Sequence, residues 1–453
     1  MRQIYVKDII NVVEGTLLCG SEECEITDIQ TDSRLVKQGD LFVALIGEKE
    51  DGHKYLKSAV QQCSACFTME HDQAEEWMEQ SGACVIRVED TLTAMQRLAA
   101  YIKKRYPLPT VGVTGSVGKT TTREMIATAL GSGKKVFETI KNYNSQVGVP
   151  LTLAKLDDSY EIAVLEMGMS DFGEMERLAD MIQPETAVVT CIGVSHIEQL
   201  KTKEAIRDEK LQIAKYMTED DIIYLNGDDP LLYQCKNMMT PKIVWYGIND
   251  GCDYRARNIR MEGWDTVFEL ITPKETLPVK LKVWGEHNVK NALVAIAVAN
   301  QYGISCEAAA KALYEFQGQR QRVIKTPYFT MIDDAYNASP DSMKAALSVL
   351  RDVPCEGRRI AVLSDMLELG EREAEYHEQV GQMVAESGID YLIAYGPLSS
   401  HIIKKANTPH FYAESIEGII SCLKKEAKPK DVVLFKGSNG MKLSQAVNKF
   451  LGE

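Results

Sequence analysis

Short runs of apolar residues alternate with amphipathic helical patterns through the middle and the end of the chain. Because these apolar runs are continuous, we expect their strands to be buried on both faces, as in a parallel sheet covered by helices. We therefore predict an α/β protein. The predicted strands are 110–114, 161–165, 186–192, 221–225 and 242–246 in the middle of the chain, and 328–332, 360–363, 391–395 and 431–435 near its end.

Two polar breaks interrupt this pattern. The first is KKRYPLPT at 103–110, where two prolines favour extended structure between a basic helix end and an apolar strand. The second is QGQRQR at 317–322, between a helical pattern and the next strand. We predict three domains, 1–106, 107–317 and 318–453, since 453 residues allow about three domains of about 150 residues each.

The composition argues against several classes of function. Apolar residues make up 45% of the chain and charged residues 26%, which is ordinary for globular proteins. A formal charge of −14 disfavours binding to nucleic acid or to an anionic membrane. No apolar run reaches the roughly 18–20 residues of a membrane span, and the first residues lack a signal-peptide pattern. We therefore expect a cytoplasmic monomer with no membrane or nucleic-acid partner.

The eleven cysteines are spread along the chain, and Cys63 and Cys66 form a lone C-x-x-C motif. A zinc or redox site would need a second pair or a thioredoxin-like context, and the sequence has neither. We interpret these thiols as buried apolar side chains of a protein in a reducing compartment.

The strongest chemical signal is a glycine-rich turn between the strand 110–114 and the helical pattern 121–130. The backbone N–H groups of such a turn wrap a phosphate, and the helix N-terminus adds positive potential. The usual pattern G-x-x-x-x-G-K-[ST] has glycine where this chain has Val113. A turn that only capped a helix would leave the Lys-Thr pair unexplained. We predict a nucleoside triphosphate site built from Gly115, Ser116, Val117, Gly118, Lys119, Thr120 and Thr121.

Three further residues follow predicted strands or lie close behind them. Glu166 follows the strand 161–165 directly, where a carboxylate beside a phosphate site is placed for Mg²⁺, although a solvated strand-end acid fits equally well. His196 follows the next strand, and a lone histidine is more often structural than a ligand. Lys210 lies on a highly charged helical pattern, where the simple interpretation is a solvated face.

The order of the motifs along the chain resembles the Mur ligases, which are ATP-dependent amide-forming enzymes of peptidoglycan synthesis. The resemblance implies a UDP-substrate α/β domain, a central P-loop ATPase with a mainly parallel sheet, and a Rossmann-like C-terminal domain. The motifs are TGSVGKTTT, NYNSQVGVP (142–150), EMG (166–168), GVSHIE (193–198), EAIRDEKLQI (204–213), GEHNVKNALVAIAVA (285–299) and IDDAYNASPDSM (332–343).

The resemblance also implies how ATP and two Mg²⁺ ions are held. Lys119 matches the residue that contacts the γ-phosphate, while Thr120 and Glu166 match ligands of one Mg²⁺. His196 matches a ligand of the second Mg²⁺. Lys210 matches a lysine that the family carbamylates with CO₂, which turns an ammonium group into a carboxylate-like metal ligand.

Three residues from later in the chain are implied to complete the ATP site. Asn291 matches a residue that contacts adenine. Arg320 and Asp334 match residues that close over the phosphates and the ribose. Among all these positions, the resemblance assigns catalysis to Lys119, His196, Lys210 and Arg320.

The segment ITDIQTDSRLVKQGDLFVALIGEKEDGH (26–53) resembles the N-terminal fold of the enzymes that make the third and fourth additions to the growing peptide. Its polar turn between apolar strands is implied to hold the UDP group of the substrate, although an ordinary capped turn with a surface ion pair is the competing interpretation. The residues assigned to the UDP substrate are Thr31, Asp32, Ser33, Arg34, Asp40, Gly47 and His53, together with Asn142 and Asn144.

IDDAYNASPDSM and VLSDMLELG (362–370) resemble the branch that adds D-alanyl-D-alanine to a UDP-N-acetylmuramoyl-tripeptide. The implied site for the incoming dipeptide contains Tyr336, Asn337 and Ser342. Several residues depart from the family pattern: Gln212 stands where the family has glutamate, Asn439 where it has arginine, and Ser145 and Ser339 where asparagine is common. Whether the third peptide residue is lysine or diaminopimelate stays open.

The implied reaction passes through an acyl phosphate, which the amine of D-alanyl-D-alanine then attacks. That amine must lose a proton, and the sequence offers His196 and His377 without favouring either as the base. Two alternatives stay open at this point. One is a related ligase that adds another amino acid or acts on another carboxylate, and the other is a P-loop ATPase that drives motion or partner binding.

Overall fold

The computed structural model describes residues 4–47, 49–318 and 320–452. The N-terminal domain is built on a five-stranded sheet in the order β2-β7-β6-β5-β4, with β2 antiparallel to its neighbour, and on a small β1-β3 ribbon. Its strands are β1 (Ile4–Tyr5), β2 (Thr16–Cys19), β3 (Glu25–Ile26), β4 (Asp28–Gln30), β5 (Asp40–Val43), β6 (Ala65–Thr68) and β7 (Cys84–Arg87). Its helices are α1 (Val6–Val13), α2 (Leu56–Ala59), α3 (Glu76–Ser81) and α4 (Thr91–Arg105).

The central domain contains a nine-stranded sheet in the order β16-β15-β14-β13-β12-β11-β8-β10-β9. The strands from β9 to β14 are parallel, and β14, β15 and β16 pair antiparallel, so the sheet is mainly parallel as predicted. The strands are β8 (Thr110–Thr114), β9 (Val136–Glu138), β10 (Ile162–Glu166), β11 (Thr186–Val189), β12 (Ile222–Asn226), β13 (Lys242–Gly247), β14 (Tyr254–Glu262), β15 (Asp265–Ile271) and β16 (Thr276–Leu281). The helices are α5 (Lys119–Gly131), α6 (Gly148–Leu153), α7 (Glu174–Ile182), α8 (Ile197–Leu200), α9 (Lys203–Leu211), α10 (Pro230–Tyr233), α11 (Glu286–Gln301) and α12 (Cys306–Tyr314).

The C-terminal domain has a six-stranded sheet in the order β17-β18-β22-β19-β20-β21, parallel except for β17. Its strands are β17 (Arg322–Lys325), β18 (Thr330–Asp334), β19 (Arg359–Ser364), β20 (Tyr391–Tyr395), β21 (His410–Ala413) and β22 (Val432–Lys436). Its helices are α13 (Pro340–Asp352), α14 (Glu373–Glu386), α15 (Ser399–Ala406), α16 (Ile416–Glu426) and α17 (Ser444–Leu451).

The first two domains share a single hydrophobic core. Helix α4 of the N-terminal domain packs against α6 and α7 of the central domain, and one continuous cluster of buried side chains extends from Ile4 to Leu232. The chain crosses between the two sheets after α4 ends at Arg105 and before β8 begins at Thr110. Two clusters of buried side chains cover the two faces of the C-terminal sheet, and the first also contains Val194 of the central domain.

All eleven cysteines lie within the described residues and are free thiols. Cys63 and Cys66 are buried, and burial raises the pKa of both thiols, to about 12 for Cys63. The interpretation of the C-x-x-C motif as structural is therefore confirmed. Among the described residues, no helix combines the length and the apolar character that crossing a membrane requires.

Candidate nucleotide and substrate site

The glycine-rich turn joins β8 to α5 at the carboxyl edge of the central sheet. Gly115 has a φ of 146°, and a Cβ atom built on it would lie 1.9 Å from Oγ1 of Thr190. Gly118 has a φ of 86° and precedes the first residue of the helix, Lys119. Only glycine fits at the first position, and glycine is favoured at the second. Val113, where the usual pattern has glycine, lies within β8 before the turn begins.

A cavity of about 490 Å³ opens beside this turn, between the central and C-terminal domains. Residues that are more than 200 positions apart in the sequence meet on its walls. Gly115 and Lys210 are not among the residues on those walls. The predicted site residues that line the cavity are Ser116, Val117, Gly118, Lys119, Thr120, Thr121, Asn142, Asn144, Glu166, His196, Asn291, Arg320, Asp334, Tyr336, Asn337 and Ser342.

Lys119 points back over the turn, where its Nζ atom donates a hydrogen bond to the carbonyl oxygen of Gly115 at 2.9 Å. Burial lowers the pKa of Lys119, the carboxylate of Glu166 opposes that shift, and the charge of Arg320 adds to it. Two cations and one carboxylate therefore face one another in the cavity. This arrangement favours a polyanionic ligand that would neutralise both cations.

Glu166 is the last residue of β10 and only 1% exposed. Its backbone N–H donates to Oγ1 of Thr139 at 2.7 Å, and its Oε1 atom accepts a hydrogen bond from Nδ2 of Asn144 at 2.6 Å. Its Oε2 atom is buried and has no hydrogen-bond partner among the described residues. A buried, unpartnered carboxylate oxygen beside a phosphate-binding turn is a good ligand for Mg²⁺, so Glu166 fits the predicted metal role.

Lys210 is 1% exposed, although its helix α9 is rich in charge. Burial lowers the pKa of its amine well below the usual value, and the positive charge of Lys119 lowers it further. The interpretation of Lys210 as a solvated surface lysine is therefore wrong. A neutral amine is the form that reacts with CO₂, so this environment suits the predicted carbamate.

His196 lies in a left-handed turn with a φ of 65°. Its Nδ1 atom lies 3.4 Å from a carboxylate oxygen of Glu368, which belongs to the C-terminal domain. This contact holds the pKa of Glu368 below its usual value. The other histidine considered as a base, His377, is buried with both ring nitrogens occupied: Nδ1 donates to the Glu373 carbonyl at 2.7 Å, and Nε2 accepts from the Met366 N–H at 3.0 Å. It has no free nitrogen with which to take a proton from a substrate.

The C-terminal domain reaches the cavity through an aromatic contact. The guanidinium group of Arg320 lies over the ring of Tyr336, with Cζ 3.2 Å from the ring centroid. The hydroxyl oxygen of Tyr336 accepts a hydrogen bond from Nδ2 of Asn142 in the central domain at 2.7 Å. These three side chains join the two domains across the cavity. Asn142, assigned to the UDP substrate, lines this cavity, and that role stays a prediction.

Asp334 pairs with Lys436, whose Nζ atom also donates to the Asn337 carbonyl. The Asp334–Lys436 distance is 2.7 Å, and Lys436 is almost fully buried. The sequence assigned no role to Lys436, because it lies about 100 residues from its partner and no local pattern links them. Ser342 forms a capping box with Ser339 at the start of α13, so its hydroxyl group is already engaged.

Asn291 ties helix α11 to the helix that follows the glycine-rich turn. Its Oδ1 atom accepts a hydrogen bond from Oγ1 of Thr122 at 3.0 Å, and its Nδ2 atom donates to Oδ1 of Asn288 at 3.1 Å. Thr122 and Asn288 were not predicted, although the motif 285–299 contains Asn288. The role of Asn291 as an adenine contact stays a prediction.

Seven of the nine residues predicted for the UDP substrate lie in the N-terminal domain, in the turn after β4, on β5 and in the loop after β5. Arg34 and Asp32 form a surface ion pair at 2.7 Å, in which the arginine side chain is 86% exposed. Asp40 is buried on β5, and burial raises its pKa. His53 is buried, and its Nδ1 atom lies 2.8 Å from Oδ1 of Asp51. Thr31, Ser33 and Gly47 lie in the same loops.

Comparison with known proteins places the whole chain among the relatives of one family. It matches the models for the Mur ligase family catalytic domain (residues 25–103), the Mur ligase middle domain (113–299) and the Mur ligase glutamate ligase domain (319–439). It is 36% identical to the UDP-N-acetylmuramoyl-tripeptide–D-alanyl-D-alanine ligase of Bacillus subtilis and 28% identical to that of Escherichia coli, with at least 98% of each chain covered in both cases. Among solved structures, MurF from Acinetobacter baumannii matches with a TM-score of 0.90 at 28% identity over 99% of both chains. MurF from Thermotoga maritima in complex with ADP matches with a TM-score of 0.84 at 27% identity, over 94% of this chain and 97% of that one.

Proposed function

The chain belongs to the Mur ligase family, and from this premise we propose that it joins D-alanyl-D-alanine to the terminal carboxylate of UDP-N-acetylmuramoyl-tripeptide with the energy of ATP. The product is the UDP-linked pentapeptide precursor of peptidoglycan. The observation that carries this proposal is the 36% identity to the Bacillus subtilis ligase, which covers 98% of both chains.

The first step activates a carboxylate, because a carboxylate is a poor electrophile towards an amine. An oxygen of the tripeptide's terminal carboxylate attacks the γ-phosphorus of ATP, the bond to the β-phosphate oxygen breaks, and an acyl phosphate and ADP result. Lys119 and Arg320 both line the cavity and would supply positive charge where negative charge develops on the transferred phosphoryl group. Positioning and charge neutralisation carry most of the catalysis in this class of reaction.

The metal-binding part of the proposal uses residues that converge at the carboxyl edge of the central sheet. Thr120 and Glu166 would hold one Mg²⁺, and His196 with the carbamate of Lys210 would serve a second. When bound, these cations neutralise the phosphate charge and screen it from the incoming carboxylate. Support comes from the unpartnered Oε2 atom of Glu166 and from the buried amine of Lys210.

In the second step the amine of D-alanyl-D-alanine attacks the acyl carbon, and the resulting tetrahedral intermediate expels phosphate as the amide forms. The C-terminal domain would bind the dipeptide beside Tyr336, Asn337 and Ser342. Tyr336 and Asn337 line the cavity, while Ser342 would contribute through the helix N-terminus that it helps to cap. His377 is excluded as the base because both of its ring nitrogens are occupied.

The test is amide formation from purified components. The protein is incubated with UDP-N-acetylmuramoyl-tripeptide, ATP and Mg²⁺, with D-alanyl-D-alanine, a single amino acid or no amine. We expect stoichiometric ADP, phosphate and pentapeptide product only with D-alanyl-D-alanine. Product with another amine would instead favour a related ligase, and sustained, multiple-turnover ADP release without any amine would favour a simple ATPase. Parallel reactions with lysine-containing and diaminopimelate-containing tripeptides identify the natural third residue. The cytoplasm as its place of action stays a prediction.

A further inference from the structure

One loop of the central domain contacts both the metal-binding carboxylate and the C-terminal domain. It runs over residues 139–147, between β9 and α6, and we call it the asparagine loop. Nδ2 of Asn144 donates to Oε1 of Glu166 at 2.6 Å, and Nδ2 of Asn142 donates to the hydroxyl oxygen of Tyr336 at 2.7 Å. The direction of two amide side chains on this loop therefore sets two contacts of the proposed active site.

The asparagine loop also contacts the N-terminal domain. Nε2 of Gln96, on α4, lies 3.2 Å from both the backbone and the side-chain carbonyl oxygens of Gln146. Another loop residue, Thr139, accepts the backbone N–H of Glu166. All three domains thus meet at this loop, and a shift of its backbone would change its contacts with each of them.

A buried arginine contacts the asparagine loop and the strand that leads into it. Arg123 lies one helical turn after Lys119 on α5, and its side chain is only 3% exposed. Its guanidinium group pairs with Glu138, the last residue of β9. The same group donates to the carbonyl oxygen of Lys141 at 3.4 Å. Arg123 therefore binds both Glu138, at the end of the strand that leads into the loop, and Lys141, the residue just before Asn142.

The hydrogen bond from Arg123 reaches Lys141, whose backbone conformation is strained. Lys141 has a φ of 51°, a left-handed conformation that residues with a side chain rarely adopt. Such a conformation persists only when surrounding contacts hold it. The hydrogen bond from Arg123 to the Lys141 carbonyl is one of those contacts, and the next residue, Asn142, points at Tyr336.

We propose that Arg123 is a positioning residue of the ligase reaction, acting through the asparagine loop to aim Asn144 at Glu166 and Asn142 at Tyr336. This inference rests on the proposed function for its catalytic consequences. Arg123 is not among the residues that line the cavity, so it acts only through its neighbours. Its Nε atom is buried without a hydrogen-bond partner among the described residues, so this site is not optimised for stability alone.

The experiment is a mutant cycle that compares Arg123→Met with the double variant Asn142→Ala/Asn144→Ala and with the combination of all three changes. Methionine keeps most of the side-chain volume and removes every donor. We expect Arg123→Met to lower kcat about tenfold, the scale of losses when groups that orient metal ligands are removed, while KM for ATP changes about twofold at most. In the background lacking both asparagines, the same change should cost about twofold or less, because its targets are gone.

A matched control is Arg358→Met. The guanidinium group of Arg358 also pairs with a carboxylate, Asp431, and donates to a backbone carbonyl, that of Glu426, but it does so within the C-terminal domain. Its substitution should cost the same factor with and without the two asparagines. If Arg123→Met also costs the same factor in both backgrounds, its role is merely structural and the proposal is overturned.

Binding of Mn²⁺ and ATP, followed by electron paramagnetic resonance, gives a second readout that does not depend on ligase activity. The same non-additive pattern in the affinity for Mn²⁺ supports the proposal even if the amide-forming assay fails. Failure of the proposed function is therefore distinguishable from failure of this inference. Additive losses of affinity overturn it. If Arg123→Met does not fold, Arg123→Lys replaces it in both measurements, because lysine keeps the charge but cannot reach Glu138 and the Lys141 carbonyl together.

Discussion

At the scale of single residues, the charges of Lys119 and the buried Lys210 affect each other. The positive charge of Lys119 lowers the pKa of Lys210, so two ammonium groups at this site would repel each other. A carbamate on Lys210 would replace that repulsion with an attraction and would add oxygen ligands for a cation. The proposed modification therefore removes an electrostatic cost that the unmodified site carries.

Lys210→Ala should reduce ligase activity at least about 100-fold, because it removes the oxygen ligands that the carbamate would supply. Short carboxylic acids such as acetate should restore part of the activity by filling the vacated space. Lys215→Ala is the control, since that lysine is half-exposed and makes only a surface contact with Glu176. Steady-state rates with and without acetate decide the matter, and full activity of the Lys210 variant would contradict the carbamate.

The lowered pKa of Lys210 predicts the direction in which ligase activity should change with pH. Protons and CO₂ compete for the same nitrogen, and a lowered pKa means that the amine stays neutral to a lower pH than an ordinary lysine does. We expect wild-type activity to fall on the acid side and to recover partly when bicarbonate is added. The acetate-rescued Lys210→Ala enzyme should show no response to bicarbonate, and rates measured at constant ionic strength test this.

The types of residue at the site could be predicted from the sequence, but their burial could not. Lys210 stands among charged neighbours, yet α9 turns Ile206, Glu209 and Lys210 to the interior, at spacings of three and four residues. The Asp334–Lys436 pair joins the ends of two adjacent strands that are distant in the sequence. Only the assembled sheet brings these two residues together.

At the scale of elements, the glycine-rich turn depends on one glycine more than on the others. Gly115→Ala should weaken ATP binding by at least about tenfold, because the new methyl group would overlap Oγ1 of Thr190 and push the turn away from the phosphates. Isothermal titration with a non-hydrolysable ATP analogue measures the effect. Gly131→Ala, at the end of the same helix and with open space around it, should leave the affinity unchanged. Equal affinities for all three proteins would contradict this account of the turn.

The turn after β4 carries a separate prediction. Ser33→Ala and Arg34→Ala should raise KM for the UDP substrate several-fold and leave KM for ATP unchanged, because Arg34 is exposed and its charge can turn towards a diphosphate. Arg97→Ala is a suitable control in the same domain, since Arg97 also forms an exposed ion pair, with Glu14. An unchanged KM for the UDP substrate would support the alternative of an ordinary surface turn.

Each of the nine strands predicted from apolar runs corresponds to a strand within a few residues. The strands that were missed are short or only partly buried: β9 has three residues, and β14 buries only Ala256 among nine. The predicted strand 186–192 ends at Val189, since the apolar residues beyond it form the loop that leads to His196. Apolar runs thus identify long, buried strands well, and they miss strands that are short or that bury few of their side chains.

At the scale of the whole molecule, the described structure has the C-terminal domain docked onto the ATP site, through the Asn142–Tyr336 and His196–Glu368 contacts. We expect the ligand-free protein in solution to sample more open arrangements, and closure to limit turnover by excluding water from the acyl phosphate. Trp264 and Trp284 pack beside the C-terminal core and can report on this motion.

Small-angle scattering should show a smaller radius of gyration when an ATP analogue and the UDP substrate are both present than when neither is. The tryptophan emission should change in parallel, because the two indole rings lie close to the moving domain. Asn142→Ala should weaken both changes, since it removes one contact of the closed form. An unchanged radius of gyration on adding both ligands would contradict the closure.

The core shared by the first two domains has a consequence for how the protein melts. Helix α4 and the central helices that it packs against cannot separate without exposing one continuous apolar cluster, so residues 4 to about 317 should behave as a single cooperative unit. The two clusters of the C-terminal domain contain only Val194 from the central domain among their described buried residues, so this domain should melt separately. Calorimetry should therefore record two transitions from a chain of three domains. A fragment cut near residue 106 should aggregate, whereas one that begins near residue 320 should stay folded and monomeric.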